Sequence, residues 1–334
     1  MTRTGRAQLL IAALVALACA LSAGAPARAD AASPFHRLLF VPFEGQLWSD
    51  GVRFAFVTDK PVGSPLVFDT LRGRRFRLTP PVPGCRYGGS GGGLTLWHCP
   101  PPRQTLISNL ASGRSREPVG IEQVDRMTTE YSFCRPYGIG RHWLELDCGG
   151  SLGPRSDPFY LNHRTGALAQ HPSGLYYEHP LIDLDYAGLV HDRCAPLGPS
   201  LERSDPDVYI AVYRPPLALE YSVKLESGET DELRLRRCGQ KRAELLSRCP
   251  DYVCVTPQLG GRYVTWGEDE RVFAYLPRIR RRVLVGRAPA ELRGYAGRLS
   301  VAHTCTRVFA RWSLDLYVAR FKPRAGAPRC QAAR

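Results

Sequence analysis

The chain has 334 residues, a formal net charge of +14, and a composition that is 44% hydrophobic and 23% charged. This balance is typical of a folded globular protein and excludes an intrinsically disordered chain. Gly (32 residues) and Pro (28 residues) are in excess over an average protein, which favours many turns over long helices.

The N-terminus has the pattern of an export signal. Arg3 and Arg6 precede an apolar run at residues 9–21, and a small-residue segment ending in Ala-Arg-Ala follows it. This order predicts a secretory signal peptide at residues 1–29, because the run is shorter than the roughly 20 residues of a membrane-spanning helix. Lipidation of Cys19 is the alternative, since Ala-Leu-Ala-Cys is similar to a lipoprotein cleavage site. We therefore expect a secreted or cell-surface protein without a membrane span.

All of the 11 cysteines except Cys19 lie beyond the predicted signal peptide. Their even number in an exported chain predicts that they pair as disulfide bonds. Cys85 and Cys99 are 14 residues apart, as are Cys134 and Cys148. The repeated spacing suggests that the same local disulfide bond across a loop occurs twice. Zinc is the alternative for the close pair Cys249 and Cys254, but no second close pair or His pair completes such a site. The disulfide candidates are Cys85, Cys99, Cys134, Cys148, Cys194, Cys238, Cys249, Cys254, Cys305 and Cys330.

A faint repeat follows the signal. Each unit has a Gly-containing turn, an alternating apolar strand, a gap, and a second apolar strand that ends in a basic or Gly turn. Such alternation predicts half-buried strands joined by hairpin turns. The anchor glycines are 41, 48, 48, 72 and 37 residues apart, which is close to the period of about 40–50 residues of propeller blades. The 72-residue step requires an insertion or an extra unit, and residues 200–216, with a strand at 208–213, fit an insertion. The anchors are Gly51, Gly92, Gly140, Gly188, Gly260 and Gly297.

The ends of the repeat region predict how the sheets are completed. A strand at residues 38–41 precedes the first unit and is expected to complete the last blade, whose strands lie at 308–312 and 316–321. Helix patterns are almost absent after the signal, and single turns at most are predicted at 241–247 and 290–293. Without alternation of strands and helices, a parallel α/β enzyme fold is disfavoured.

The period and the strand pattern resemble the β-propeller superfamily, particularly the secreted bacterial six-bladed propellers of the TolB-like kind. The unit Val67-Phe68-Asp69-Thr70-Leu71-Arg72-Gly73 is similar to the strand, Asp, turn, Gly ending of such blades, and residues 161–166 are a variant of it. The resemblance implies an all-β propeller over residues 38–322, most simply six blades of antiparallel strands with ring closure by the N-terminal strand. A linker at 30–37 and a tail at 323–334 flank it. The resemblance implies a scaffold and not an activity, because propellers host binding modules and enzymes alike.

Two polar patterns are candidates for chemistry. The glycine-rich segment around Ser90 matches a nucleophile elbow, but it lacks the preceding strand and following helix that this motif needs, so a flexible turn is the simpler interpretation. Asp183 and Asp185 would lie on one face of a strand, about 7 Å apart and close in sequence to four histidines. They are ligand or acid–base candidates, with solvated loop residues as the alternative. We predict no catalytic residue, no metal site and no cofactor.

Arginine dominates the basic residues, and three clusters of it lie at predicted inter-strand turns. If the units repeat in register, these turns gather on one rim and form a positive ring that attracts polyanions. Solvated hairpin tips in an arginine-rich protein are the alternative. The ligand candidates are Arg280, Arg281 and Arg282, and the clusters span residues 72–77, 234–237 and 278–282.

Together these patterns predict an exported, non-catalytic binding or interaction module that acts at the cell surface or outside the cell. Its expected partner is a protein or an acidic cell-envelope polymer. Nucleic acid is not expected, because no helix-turn-helix, zinc-finger or RNP signature is present. The alternative is a propeller-type hydrolase or lyase acting on extracellular glycans. Repeat-matched tryptophans predict an inter-blade core or, alternatively, a carbohydrate-stacking surface; they are Trp48, Trp97, Trp143 and Trp266.

Overall fold

The structure is a computed structural model. It describes residues 33–41, 46–58, 63–101, 104–130, 133–149, 159–170, 207–214, 217–223, 231–237, 240, 242–249, 254–260, 263–292 and 299–321. Residues 34–334 form one compact unit. Within the described ranges, no helix is both long and apolar enough to cross a membrane.

The described strands form six four-stranded antiparallel sheets. Sheet 1 contains β2 (Leu47–Ser49), β3 (Phe54–Val57), β4 (Leu66–Asp69) and β5 (Arg74–Arg77), and sheet 2 contains β6 (Arg86–Gly91), β7 (Leu94–His98), β8 (Thr105–Asn109) and β9 (Ser115–Arg116). Sheet 3 contains β10 (Phe133–Ile139), β11 (Trp143–Gly149), β12 (Phe159–Asn162) and β13 (Leu168–Gln170), and sheet 4 contains β14 (Asp207–Arg214), β15 (Leu217–Val223), β16 (Asp231–Arg237) and β17 (Ala243–Cys249). Sheet 5 contains β18 (Cys254–Gly260), β19 (Tyr263–Glu268), β20 (Arg271–Leu276) and β21 (Arg281–Arg287), and sheet 6 contains β22 (Ser300–His303), β23 (Arg307–Trp312), β24 (Asp315–Arg320) and β1 (His36–Phe40).

The predicted all-β propeller architecture is confirmed. Each sheet is built from strands in chain order, except that the N-terminal strand β1 joins the C-terminal strands in sheet 6. There β1 pairs antiparallel with β24, so that Phe40 lies opposite Asp315 and His36 lies opposite Val318. This is the pairing that the sequence predicted for the two ends of the repeat region.

Several local predictions need correction. The segment at 200–216 is not simply an insertion, because its strand is β14, the first strand of a regular sheet. The predicted helical turn at 241–247 is wrong, since β17 covers most of it, whereas the one at 290–293 is confirmed as a 3-10 turn at Ala290–Leu292. The α-helix α1 (Ile121–Glu130), between sheets 2 and 3, was not predicted. Of the six anchors, Gly188 and Gly297 lie outside the described residues.

Apolar cores between neighbouring sheets hold the described part of the fold together. In β3, Phe54 and Phe56 pack toward sheet 2, whereas Ala55 and Val57 pack toward sheet 6. Successive side chains of a strand point to opposite faces, so a strand with a neighbouring sheet on each side is apolar throughout. Equivalent cores lie between sheets 2 and 3, between sheets 4 and 5, and between sheets 5 and 6. Trp97 and Trp266 are fully buried in two of these cores, as the inter-blade interpretation predicted.

In each sheet, the end of the first strand and the end of the third strand lie at the same edge, because the strands are antiparallel. Backbone contacts then join these edges between sheets. A Cβ at Gly260 would lie 2.6 Å from the Cα of Gly51, and one at Gly92 would lie 2.3 Å from the nitrogen of Arg141. The Cys305 N–H also donates to the carbonyl of Val52 at 2.9 Å. These edges therefore lie on one side of the molecule, which we call the front face.

Candidate functional site

One turn recurs at the front edge of three sheets, between the third and fourth strands. An Asx side chain ends the third strand, and its Oδ1 accepts hydrogen bonds from the backbone N–H groups two and three residues on. A glycine with positive φ follows four residues after it, where a side chain would be strained. The turns are Asp69 with Gly73 (φ +65°), Asn109 with Gly113 (φ +72°) and Asn162 with Gly166 (φ +79°). The strand, Asp, turn, Gly pattern of the sequence therefore corresponds to an Asx turn that ends in a glycine with positive φ.

These turns carry exposed arginines to the front face. Sheet 5 departs from the pattern, since Arg280 stands in place of the glycine and adopts φ +47°. The only acidic residue among the described residues of these turns is Asp69, which is buried and paired with Arg53, so the exposed charge of the turns is entirely positive. Such a one-sided distribution creates a positive potential that attracts anions. The exposed arginines in or beside the turns are Arg72, Arg114, Arg164, Arg237, Arg242, Arg278, Arg280 and Arg281.

The predicted ligand candidates differ in their exposure and in their contacts. Arg280 and Arg281 are exposed on the front face. Arg282 is engaged within the protein, since its guanidinium lies 2.7 Å from Glu268 and 3.9 Å above the ring of Phe273. Asp183 and Asp185 lie outside the described residues, as do three of the four histidines near them.

The glycine-rich segment around Ser90 is not the predicted flexible turn. It forms strand β6, and another strand follows it in place of the helix of a nucleophile elbow. The Ser90 hydroxyl lies 3.2 Å from the hydroxyl of Thr95. A Cβ at Gly91 would lie only 2.1 Å from the carbonyl oxygen of Ile139. The glycines therefore allow β6 to approach β10 backbone to backbone.

The structure contains disulfide bonds in both places where the sequence repeats one step. Cys85 is bonded to Cys99, and Cys134 is bonded to Cys148, each across 14 residues. Cys305 is disulfide-bonded as well. The described backbones of Cys249 and Cys254 lie in β17 and β18, and the remaining candidates, Cys194, Cys238 and Cys330, lie outside the described residues.

A cleft opens on the front face between sheets 2 and 3. Its volume is about 690 Å³, within the range of small-ligand sites. Three arginines reach it, and three apolar residues form part of its wall, of which Val119 is 48% exposed. The lining residues include Arg114, Arg116, Arg164, Asn109, Ser115, Leu94, Ile107 and Val119, together with His163.

Arg116 is held in this cleft by a buried histidine. Its guanidinium donates to the carbonyl of His163 at 2.8 Å, and the other terminal nitrogen lies 2.8 Å from Nδ1 of the same residue. His163 is fully buried, and its Nε2 lies 3.3 Å from the carbonyl oxygen of Gly140. Burial lowers the pKa of His163 to about 4, with the nearby positive charges of Arg116 and Arg164 acting in the same direction. The imidazole is therefore neutral at pH 7, with Nε2–H as donor and Nδ1 as acceptor.

Sequence reasoning missed this cleft. Arg164 is distant in sequence from Arg114 and Arg116, and only the fold brings the three together. The signal becomes visible when the units are aligned on the Asx residue. Two aligned positions that hold an apolar residue in the preceding unit then hold an arginine and a histidine in the units that line the cleft.

A second group of titratable residues lies on the strands of sheet 3 and the adjoining strand of sheet 2. Glu145 and Asp147 are two residues apart on β11, and therefore on one face. Burial, followed by the neighbouring charge of Asp147, raises the pKa of Glu145 to about 7. Asp147 lies 3.4 Å from Arg135, and burial together with Arg135 lowers the pKa of His98. In the described part of the chain, no three His, Cys, Asp or Glu side chains form a potential metal site.

Comparison with known proteins finds similarity only at the level of solved structures. Neither a protein-family model nor a curated protein sequence matches this chain. Among solved structures, the β-propeller domain of Swd1 from Myceliophteria thermophila is 9% identical, with a TM-score of 0.41 over 86% of this chain and 100% of that one. Hydrazine synthase of Kuenenia stuttgartiensis is 12% identical, with a TM-score of 0.39 over 89% and 98%. A gluconolactonase of Xanthomonas campestris is 13% identical, with a TM-score of 0.36 over 90% and 99%. At these identities the likeness concerns the fold alone.

Proposed function

We propose that this protein is an exported, six-bladed propeller that binds an acidic cell-envelope polymer on its front face without catalysis. The observation that carries the proposal is the gathering of exposed arginines from the third turns of several sheets, with no exposed acidic residue among the described residues of these turns. A polyanion that lies across this face would neutralise several of these charges at once. Long-range attraction of this kind gives binding that weakens steeply with salt.

The test compares two charge-matched variants. Arg72 and Arg278 lie in front-face turns, whereas Arg86 begins β6 and Arg248 lies near the end of β17, both at the opposite edge. We expect Arg72→Ser with Arg278→Ser to weaken binding of alginate by about fivefold or more per arginine, or about 1 kcal/mol each. Arg86→Ser with Arg248→Ser should bind almost as the natural protein does. Equal losses in both variants, or binding of neutral dextran, would refute a front-face polyanion site.

Export is supported by the N-terminal pattern and by the disulfide bonds, which persist in oxidising compartments. Expression of the full chain in a bacterium, followed by fractionation and N-terminal sequencing, tests it. We expect a mature protein that starts near Asp30. Retention in the cytoplasm with an intact N-terminus would contradict export, and membrane release only by detergent would indicate lipidation of Cys19.

The alternative is a hydrolase or lyase that acts on extracellular glycans. The pair Glu145 and Asp147 favours it, because two carboxyl groups on one face of a strand, one of them with its pKa raised to about 7, resemble the carboxyl pair that acid–base cleavage of glycans uses. Incubation of the protein with alginate, with reducing ends measured over time, decides between the two functions. Turnover that disappears in Glu145→Gln would establish the enzyme, and binding without turnover would support the binding module.

A further inference from the structure

The interface between sheets 2 and 3 departs from the interface that precedes it. Between sheets 1 and 2, Phe76 and Leu110 belong to one apolar core. Phe76 stands three residues after the turn glycine of sheet 1, and Leu110 follows the Asx residue of sheet 2. At the same two positions one interface further on, the chain has Arg116 and His163. A polar pair has thus replaced an apolar pair at equivalent places.

This replacement leaves a positive charge that the protein does not neutralise. The partners of the Arg116 guanidinium are the backbone carbonyls of Glu117 and His163 and the neutral imidazole of His163. A carboxylate in their place would cancel the charge, whereas these acceptors only orient it. Burial and the positive charge of the neighbouring Arg164 both lower the pKa of Arg116. Among the described residues, neither Arg114 nor Arg164 has an acidic partner.

Repulsion from Arg164 and the loss of an apolar pair both work against folding, whereas the exposed position of Arg116 leaves its charge open to a ligand. An anion in the cleft would relieve the repulsion and would accept hydrogen bonds from the oriented fork of Arg116. Beside the arginines, the cleft presents the exposed Val119, whereas Leu94 and Ile107, which also line it, are buried in the core. Sugar rings have an apolar C–H face that can pack against Val119. The Oδ1 of Asn109 accepts hydrogen bonds from the turn backbone. Its amide N–H groups can then donate to a hydroxyl of the sugar.

We infer that the cleft between sheets 2 and 3 is a binding subsite for one acidic sugar unit, with Arg116 as the anion-binding residue and His163 as the residue that positions it. The inference rests on the proposed function, because the unit would belong to the polymer bound across the front face. Arg114 and Arg164 would contact the anion from the rim. A carboxylate on a uronic acid and a phosphate on a sugar share the required chemistry.

The chain itself offers the variant that tests this inference. Arg116→Phe with His163→Leu restores the apolar pair of the preceding interface, so the protein is expected to remain folded with an equal or higher melting temperature. Binding of trimannuronate and of glucose 1-phosphate is measured by calorimetry or NMR, with maltotriose as the neutral control. We expect the natural protein to bind at least one of the two anionic probes and to bind maltotriose at least tenfold more weakly. The double variant should lose at least tenfold in affinity for the anionic probe. The preferred probe identifies the source of the anion.

Two further variants keep the test decisive. Arg116→Lys retains the charge but loses the two-pronged donor, and should weaken binding almost as much as the double variant. If the double variant fails to fold, Arg164→Ser on the exposed rim should still weaken binding severalfold without changing the melting temperature. No binding of either anionic probe by the natural protein, or equal binding by the natural protein and a folded double variant, would overturn the subsite.

The outcomes separate the subsite from the proposed function. Loss of trimannuronate binding in the double variant, with salt-sensitive binding of long alginate retained, is expected if both are right. Binding of trimannuronate without any binding of long alginate would refute the front-face proposal and leave the cleft as a small-ligand site. Binding of long alginate without any binding of small anions would refute the cleft alone.

Discussion

Replacing Asp69 with Asn isolates one buried ion pair from the turn that contains it. Asp69 is 1% exposed, and Arg53 donates to its two oxygens at 2.8 and 2.6 Å. The same carboxylate accepts the backbone N–H groups of Leu71 and Arg72. Sheets 2 and 3 use Asn at this position for the same backbone hydrogen bonds. Asn can therefore preserve the turn and remove only the charge that faces Arg53 and, at 3.6 Å, the more exposed Arg74.

The size of the effect follows from the surroundings of Arg53. Removal of one partner of a buried pair costs about 3–5 kcal/mol when the other charge stays buried. The Arg53 side chain is 16% exposed, so water can partly compensate it, and we expect Asp69→Asn to lower the free energy of unfolding by about 2–3 kcal/mol. Asp69→Ala also removes the backbone hydrogen bonds, which should cost about 1 kcal/mol more.

Urea denaturation of the natural protein, Asp69→Asn, Arg53→Met and the double variant gives the coupling energy between the two side chains. Burial alone would raise the pKa of Asp69, but hydrogen bonds from Arg53 and from the backbone lower it below its ordinary value. The ion pair therefore contributes its full stability above about pH 4, and loses it as the pH falls further. The difference between the natural protein and Asp69→Asn should shrink in acid. A difference below about 0.5 kcal/mol at pH 7, or one that grows in acid, would refute this reasoning.

Three further variants probe the turns and the interfaces. Arg280→Gly should raise the free energy of unfolding by up to about 1 kcal/mol in thermal melts, because φ +47° strains any side chain; a loss of stability would show that the Arg280 side chain contributes contacts that outweigh the strain. Burial keeps the pKa of His163 at about 4 in the folded protein, against about 6.5 in the unfolded chain. The unfolded chain therefore binds a proton first, and stability should fall by up to about 3 kcal/mol between pH 6.5 and 4; His163→Leu should remove this slope, and an unchanged slope would contradict it. Glu268→Gln should cost about 1 kcal/mol in urea denaturation, because Arg282, whose side chain is 38% exposed, loses its carboxylate partner at 2.7 Å, and a neutral result would assign the Arg282 interaction to its aromatic contacts.

The sheets could be predicted because the strands obey simple local rules. The run at 54–57 is apolar at every position, since each of its faces meets a neighbouring sheet, and the flanking turns carry Gly or Asp. Strand β6 was missed for the opposite reason. Its glycines are unfavourable in strands generally, and only the approach of Ile139, a residue distant in sequence, explains why they are needed there.

Helix α1 was missed because most of its ten residues are polar. Ile121, Val124 and Met127 form a short apolar stripe that packs against the core between sheets 2 and 3. Three apolar residues at helical spacing are a weak signal in a chain that alternates elsewhere. The helix therefore depends on the tertiary contact of this stripe, as short helices generally do.

Two places depart from the repeated turn pattern, and their physical consequences differ. In sheet 5, Arg280 replaces a glycine and strains one residue, without changing which surfaces of the sheets meet. Between sheets 2 and 3, Arg116 and His163 replace an apolar pair and bring another guanidinium beside Arg114 and Arg164. Both departures oppose folding, but only the second creates a surface that can bind something new. In a repeated fold, each unit can be compared with its neighbours at the equivalent position. A polar pair at a position where the neighbouring interface has apolar residues therefore indicates function more reliably than charge alone. By this reasoning the cleft, and not the arginine-rich turns as a whole, should determine which anion the protein prefers.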